Sequence, residues 1–208
     1  MTGTTLRTVA FDCFGTLARI SRPAGVFGRL ARLGARAGVD PRSVMRHPWT
    51  LSQAALEMGV DIDASELQRL EADLLDELQS IVLYPETRTV LLALKDAGYQ
   101  VAVCSNLALP YAAPVEALVG DLLDVRVWSF DAGATKPSPA IYQALLARGG
   151  TRAQETLMVG DSLAADYEGA RAAGLHALHL VRDSAAVADG KVASLTEVVS
   201  SLDRTRKE

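Results

Sequence analysis

The chain has 208 residues, of which 49% are hydrophobic and 22% charged, so it suits one domain or one domain with a small insertion and is not a largely disordered chain. Its 21 Lys plus Arg against 25 Asp plus Glu leave a net charge of −4, which gives no basic field for nucleic acid. Two cysteines are too few for a disulfide framework, and neither a signal-peptide stretch nor a membrane-spanning apolar run is present, so a soluble cytoplasmic protein is the default expectation.

Leu6 to Phe11 is a short apolar run that ends in Asp12 and reads as a buried strand. From about Arg19 to Leu83 almost every segment reads as helix, and the block carries no strand signal. Val26, Phe27, Leu30, Leu33 and Ala37 form one helical stripe closed by Gly38. Asp40-Pro41 reads as an N-cap with proline in the first turn, and Thr50 as the cap of a short helix that stops at Gly59. Asp63 and Glu66 stand at capping-box spacing before Leu67, Leu70, Leu74, Leu78 and Ile81, a long amphipathic helix.

Tyr84-Pro85 marks a boundary, after which strands and helices alternate. A helix from Thr87 to Gly98 precedes a strand at Tyr99 to Cys104. A helix around Val115 to Val119 precedes a strand at Val125 to Trp128. Pro139 opens the next helix, and Thr156 to Val159 is a strand. Leu163 to Ala173 is a helix closed by Gly174, His176 to Val181 a strand, and Ser194 with Glu197 a capping box for a last helix. The alternation predicts an α/β fold, a doubly wound parallel sheet covered on both faces. Residues 1–17 and 84–208 form the expected core, and 18–83 an inserted helical cap.

Open parallel sheets bind ligands at the carboxyl ends of their strands. Those ends offer Asp12, then Ser105-Asn106, then a loop with Lys136, then Gly160-Asp161-Ser162, with Asp166 five residues beyond Asp161. Converging carboxylates repel one another unless a cation neutralises them. With only oxygen ligands on offer, the expected cation is Mg²⁺. Lys136 adds a positive charge and Ser105 a donor, and a carboxylate held there can act as a nucleophile. Asp161 and Asp166 also read as caps of the helix that follows. Arg42 and Arg46 in the cap are candidates to meet a substrate carboxylate or phosphate. His176 and His179 read as structural histidines, Cys13 and Cys104 as small core residues.

Phe11-Asp12-Cys13-Phe14-Gly15-Thr16-Leu17, Cys104-Ser105-Asn106, Lys136-Pro137-Ser138-Pro139, and Gly160-Asp161-Ser162 with Asp166 resemble, in order, the four motifs of the haloacid dehalogenase (HAD) superfamily. The resemblance implies a Rossmann-like core with a small helical cap after the first motif. It implies Asp12 as the nucleophile that forms a covalent aspartyl intermediate, later hydrolysed by water. It implies Mg²⁺ held by Asp12, the main-chain carbonyl of Phe14 and Asp161, with Asp166 close by. Ser105 and Lys136 would grip the transferring group, and Thr16 and Asn106 would orient these groups or bind substrate.

One position departs from the phosphatase pattern of that family, which keeps an acid two residues after the nucleophile. Phe14 stands there and cannot serve as a general acid–base, a role worth about 10²–10⁴-fold. An aromatic residue there resembles the 2-haloacid dehalogenases, whereas the acidic fourth motif resembles the Mg²⁺-dependent phosphatases. The leading reading is Mg²⁺-dependent hydrolysis of a small, anionic phosphorylated metabolite. The alternatives are a dehalogenase-like hydrolase and a catalytically weakened protein that binds a phosphorylated ligand. The sequence carries no signal of oligomeric state.

Overall fold

The computed structural model describes residues 5–182 and 190–205. The first strand, β1 (Thr8–Phe11), is buried at all four positions. After it come β2 (Ala18–Ile20), α1 (Val26–Arg36), a 3₁₀ turn at Pro41–Met45, α2 (Leu51–Glu57), α3 (Ala64–Gln79) and β3 (Ile81–Leu83). The alternating part follows as α4 (Thr87–Asp96), β4 (Gln100–Ser105), α5 (Ala112–Val119), β5 (Val125–Trp128), α6 (Ser129–Ala132), α7 (Pro139–Gly149) and β6 (Thr156–Gly160). A π-helical segment at Leu163–Glu168 leads into α8 (Gly169–Ala172), then β7 (His176–Leu180), β8 (Lys191–Val192) and α9 (Leu195–Thr205).

Six strands form one sheet in the order β5-β4-β1-β6-β7-β8, and every neighbouring pair runs parallel. The chain winds outward from β1 through β4 and β5, then returns to its other side through β6. That reversal puts the carboxyl ends of β4, β1 and β6 side by side, at the place where such sheets bind ligands. The two faces separate by strand alternation. Val9 and Phe11 join the cluster that holds Leu91 and Leu94 of α4 and Leu195 and Val198 of α9. Ala10 joins the opposite cluster with Ile141 and Leu145 of α7 and Ala170 of α8. Phe11 is fully buried, a burial worth about 1.5–3 kcal/mol. The expected doubly wound α/β core is therefore present. Among the described residues no helix is long and apolar enough to cross a membrane.

The segment between β1 and β4 corrects the expectation of a strand-free block. β2 and β3 pair antiparallel, Ala18 with Leu83 and Ile20 with Ile81. Ile81 thus belongs to a strand and not to the α3 stripe. At three residues each, these strands are too short to show a period of two in the sequence. Thr50 forms a full capping box with Gln53, and Asp63 accepts from the Glu66 N–H at 2.8 Å. Asp40 accepts from the Arg42 N–H, but the turn it opens is 3₁₀. In α1 the buried side is Val26, Phe27, Leu30 and Gly34, while Leu33 is 41% exposed. Gly34 takes its place because Met58 lies directly against it, leaving no room for a Cβ. The N-terminus of α1 has no side-chain cap of its own. Glu77 of α3 supplies one, accepting from the Gly25 N–H at 3.0 Å.

Two further expectations change near the C-terminus. Residues from Leu163 do not start as a regular α-helix: the Ser162 hydroxyl accepts from Ala165 N–H at 3.2 Å and the Asp166 carboxylate from Ser162 N–H at 3.0 Å. Two such side-chain bonds in one turn favour the wider π geometry. Before α9, the Glu197 carboxylate accepts from Ala193 N–H at 2.9 Å, and the Ser194 hydroxyl bonds Thr196 instead.

Candidate active site

Asp12 follows β1 directly, and its N–H bonds the carbonyl of Val159 in β6 at 2.9 Å. Phe11 pairs with Val103 on one side and Val159 on the other, so Asp12, one residue beyond this rung, shares its end of the sheet with Ser105 and Asp161, each two residues beyond. The loop after β5 and α6 brings Lys136 in. Its ammonium lies 2.7 Å from Asp12 Oδ1 and 2.5 Å from Asp166 Oδ1. Asp12, Lys136 and Asp166 are only 8%, 4% and 1% exposed, so their charges interact with little screening by water.

Burial opposes the charge on Lys136, but Asp12 and Asp166 outweigh it and hold its pKa above the usual lysine value. Burial lifts the Asp166 carboxyl, against the pull of Lys136. Burial and then the negative charge of Asp12 lift that of Asp161. Three carboxylates against one ammonium leave a local excess of negative charge. Asp12, Asp161 and Asp166 each offer an oxygen, all within 4.8 Å of one another. An all-oxygen donor set in excess negative charge fits a hard divalent cation. Asp166 already has one oxygen on Lys136 and the other on the Ser162 N–H, so Asp12 and Asp161 have the freer oxygens.

Gly15 makes this approach feasible. Its φ is +89°, and a Cβ there would collide with the Asp161 carboxylate. Gly160 is bare for a like reason, since the Asp166 carboxylate lies against it. Asn106 uses both ends of its amide on the main chain of Lys136: its amide N–H donates to the Lys136 carbonyl at 3.0 Å, and its oxygen accepts from the Lys136 N–H at 2.8 Å. Its part is thus to orient Lys136. Thr16 is buried in the loop that follows Asp12, and its hydroxyl has no partner among the described residues. The Phe14 ring stands edge-on to that of Tyr111, at 5.8 Å between centroids.

Arg42 and Arg46 do not line the Phe14 side. They border a separate cavity with Thr135, Pro137 and Ser138, and Arg46 is paired with Asp40 at 2.7 Å. Cys13 and Cys104 are fully buried, and burial raises both thiol pKa values, that of Cys104 to about 12. They are inert core residues, as expected. Among the described residues, His179 is satisfied at one nitrogen only: Nε2 lies 3.0 Å from the Asp161 carbonyl, while Nδ1 is buried without a partner.

Sequence reasoning missed Arg182. It donates to the carbonyls of Gly15 at 3.3 Å and Thr16 at 2.8 Å, pairs with Glu86 at 2.6 Å, and lies 3.6 Å from the centre of the Tyr84 ring. One guanidinium thereby ties the loop after Asp12 to the start of α4. No local pattern could have found it, because its partners lie far away in the chain.

Comparison with known proteins agrees with this geometry. The chain is 36% identical over 100 residues to a ribulose-1,5-bisphosphate 5-phosphatase of Halopiger xanaduensis, a match covering 47% of this chain and 42% of that protein. It therefore aligns with less than half of that relative's length. It is 31% identical over 168 residues to phosphatase MT3486 of Mycobacterium tuberculosis, covering 79% of this chain and 76% of that one. The fold matches a 2-haloacid dehalogenase from Pseudomonas syringae pv. Tomato DC3000 at a TM-score of 0.67 and 20% identity, covering 97% and 100% of the two chains. The family model for haloacid dehalogenase-like hydrolases matches residues 6–174. With its aspartate at the end of the central strand, its buried lysine and its acidic fourth strand end, the chain belongs to the haloacid dehalogenase-like hydrolases.

Proposed function

We propose that this hydrolase cleaves a small phosphorylated molecule in a Mg²⁺-dependent reaction, with Asp12 as nucleophile and residues 18–83 as the cap over the site. The observation that carries this reading is the set of three carboxylate oxygens within 4.8 Å around the buried Lys136–Asp12 pair. A dehalogenation substrate is a monoanion and needs no such acidic cluster; a phosphate dianion does need a cation beside one. Asp12, Asp161 and the main-chain carbonyl of Phe14 would hold Mg²⁺, with Asp166 behind them. When bound, the ion would supply positive charge that offsets these carboxylates and the phosphate.

The chain's own residues divide the remaining work. Lys136 engages Oδ1 of Asp12, which assigns attack on phosphorus to Oδ2. A new Asp12–phosphorus bond forms as the ester P–O bond breaks, and the leaving oxygen departs with the electron pair. Water then attacks phosphorus, inorganic phosphate leaves, and the Asp12 carboxylate is restored. Ser105 and Lys136 supply donors to the phosphoryl oxygens, in a buried setting where each is worth more than in water. Asn106 holds Lys136 in place for both steps. Thr16, with its free hydroxyl, has a bond left to give to the transferring group.

The test is phosphate release from a panel of phosphate monoesters, with Mg²⁺ and with a chelator, for the wild type and Asp12→Asn. Turnover that requires Mg²⁺ and vanishes in a folded Asp12→Asn protein supports the reading. One specific observation favours the second reading, dehalogenation: Phe14 gives the site an apolar wall where a proton donor would otherwise stand. Halide release from a 2-haloacid with chelator present would make that reading the better one.

A further inference from the structure

A cavity of about 210 Å³ lies between the core and α1, and it reaches the neighbourhood of the site through Phe14, two residues after Asp12, and Asn106, which follows Ser105. Its walls are Phe14, Ile20, Phe27, Val44, Met45 and Tyr111, with small residues and Leu107 between them. Among the described residues, none around it is Asp, Glu, His, Lys or Arg. Its few polar atoms are already engaged. The Asn106 amide is spent on the main chain of Lys136, and the Tyr111 hydroxyl bonds the buried Glu77. The two nearby cap arginines, Arg42 and Arg46, border a different cavity.

We infer that this cavity receives the leaving group of the substrate, and that this group is uncharged, apolar and about the size of an aromatic ring. The inference rests on the phosphatase reading for the reacting centre and adds the class of ester: an aryl phosphate. Size supports it, because an apolar cavity of about 150 Å³ is known to hold benzene, and this one takes a ring with one or two small substituents. Chemistry supports it as well. A second carboxylate or phosphate would be buried there with no donor to meet it, which burial penalises strongly. The walls also offer no free acid to protonate a departing oxygen. A phenolic oxygen, with a pKa near 10 as in tyrosine, leaves more readily unprotonated than an alkoxide does. In the balanced step, Asp12 Oδ2 bonds phosphorus, the P–O(aryl) bond breaks, and the phenolate leaves with the electron pair and takes its proton from water. The relatives named for ribulose bisphosphate would then be poor guides to substrate, since a second phosphate has no place in this cavity.

Two measurements test this, one with turnover and one without. First, kcat/KM is compared for phenyl phosphate and phosphoglycolate in the presence of Mg²⁺. Phenyl phosphate is expected to lead by about 100-fold or more. Equal values, or a lead for phosphoglycolate, overturn the inference and leave the phosphatase reading standing. Second, binding of phenol and of glycolate to the wild-type protein is read by ligand-observed NMR, which involves the cavity alone. Phenol is expected to bind and glycolate not to, and Met45→Arg is expected to weaken phenol binding. Phenol binding without turnover of any phosphate ester would sink the phosphatase reading and keep the cavity assignment. Absence of phenol binding, or equal binding of glycolate, overturns the assignment. The wild-type comparison decides even if Met45→Arg fails to fold.

Discussion

Asn106 holds Lys136 by its main chain, closing a two-bond clasp at 3.0 Å and 2.8 Å that fixes where the lysine side chain starts. The ammonium at the far end then reaches Asp12 and Asp166 without searching. Asn106→Ala removes both bonds and leaves two main-chain groups of a half-buried loop unpaired, at about 1–3 kcal/mol. Turnover is expected to fall by about 10–100-fold, because small misplacements at a reacting centre are costly. Kinetics alongside a denaturant titration check this, and unchanged kcat in a destabilised protein would make Asn106 a purely structural residue.

Lys136 neutralises two buried acids at once. Lys136→Met leaves Asp12 and Asp166 facing each other in a buried setting, so a loss of about 3–5 kcal/mol is expected. Adding Asp166→Asn removes one of the two charges and is expected to return part of that loss. Urea unfolding of the single and double variants, without metal, measures both. Additive losses would mean that the two acids do not feel each other through Lys136.

The raised carboxyl of Asp161 sets the direction of a pH effect. Burial first, then Asp12, lifts its pKa above the ordinary aspartate value. In metal-free protein the stabilisation from its protonated form is complete below the ordinary value and is lost as pH rises through the raised one. Mg²⁺ binds only the carboxylate. The gain in Tm from Mg²⁺ is therefore expected to grow as pH rises through that window, and Asp161→Asn is expected to flatten the growth. A full pH-dependent gain in Asp161→Asn would argue against Asp161 as a ligand.

On the proposed mechanism, Phe14→Asp places a carboxyl two residues after the nucleophile, where it can serve the leaving oxygen. It is expected to raise turnover of alkyl phosphates more than that of aryl phosphates, since a general acid helps most where the leaving oxygen is most basic, with about 10²–10⁴-fold as the usual range. The same change removes the ring contact with Tyr111 and adds charge beside Asp12, so lower stability and a higher Mg²⁺ demand are expected too. Tm, Mg²⁺ titration and the two ester series separate these effects. A folded, Mg²⁺-binding variant with no gain on any ester would count against the phosphatase reading.

The strands that build the site were legible because each is an apolar run that stops at a polar residue. Val125–Trp128 emerges with its expected ends, and Thr156 opens β6 as expected. Asp12, Ser105, Lys136 and Asp161 followed from the rule about strand ends; Lys136 meets Asp12, and an Asp161 oxygen lies within 4.8 Å of an Asp12 oxygen. What stayed hidden has two physical causes. β2, β3 and the two-residue β8 (Lys191–Val192) are too short to carry a period. Long-range partners leave no local mark: Gly34 is buried because of Met58, and Arg182 meets Thr16 across a separation of 166 residues. The role of Asn106 was half visible, since its motif marked it as a site residue but only the fold shows that both ends of its amide face Lys136.

The ribbon of β2 and β3 has a consequence for how such a molecule can change over evolutionary time. Leu17 accepts from Tyr84 N–H at 3.1 Å and Ser80 from Ser21 N–H at 3.0 Å, with the three paired rungs between them. Chain that leaves the sheet next to Asp12 is thus brought back to its own starting point. For a segment whose ends are already stitched together, added length costs little closure entropy, and the sheet does not register what hangs beyond the stitch. The helices between can be lengthened, exchanged or rebuilt while Asp12, Lys136 and Asp161 keep their places. On the proposed reading, chemistry and selectivity would be carried by two separately heritable parts of one chain, joined at a clasp a few residues wide.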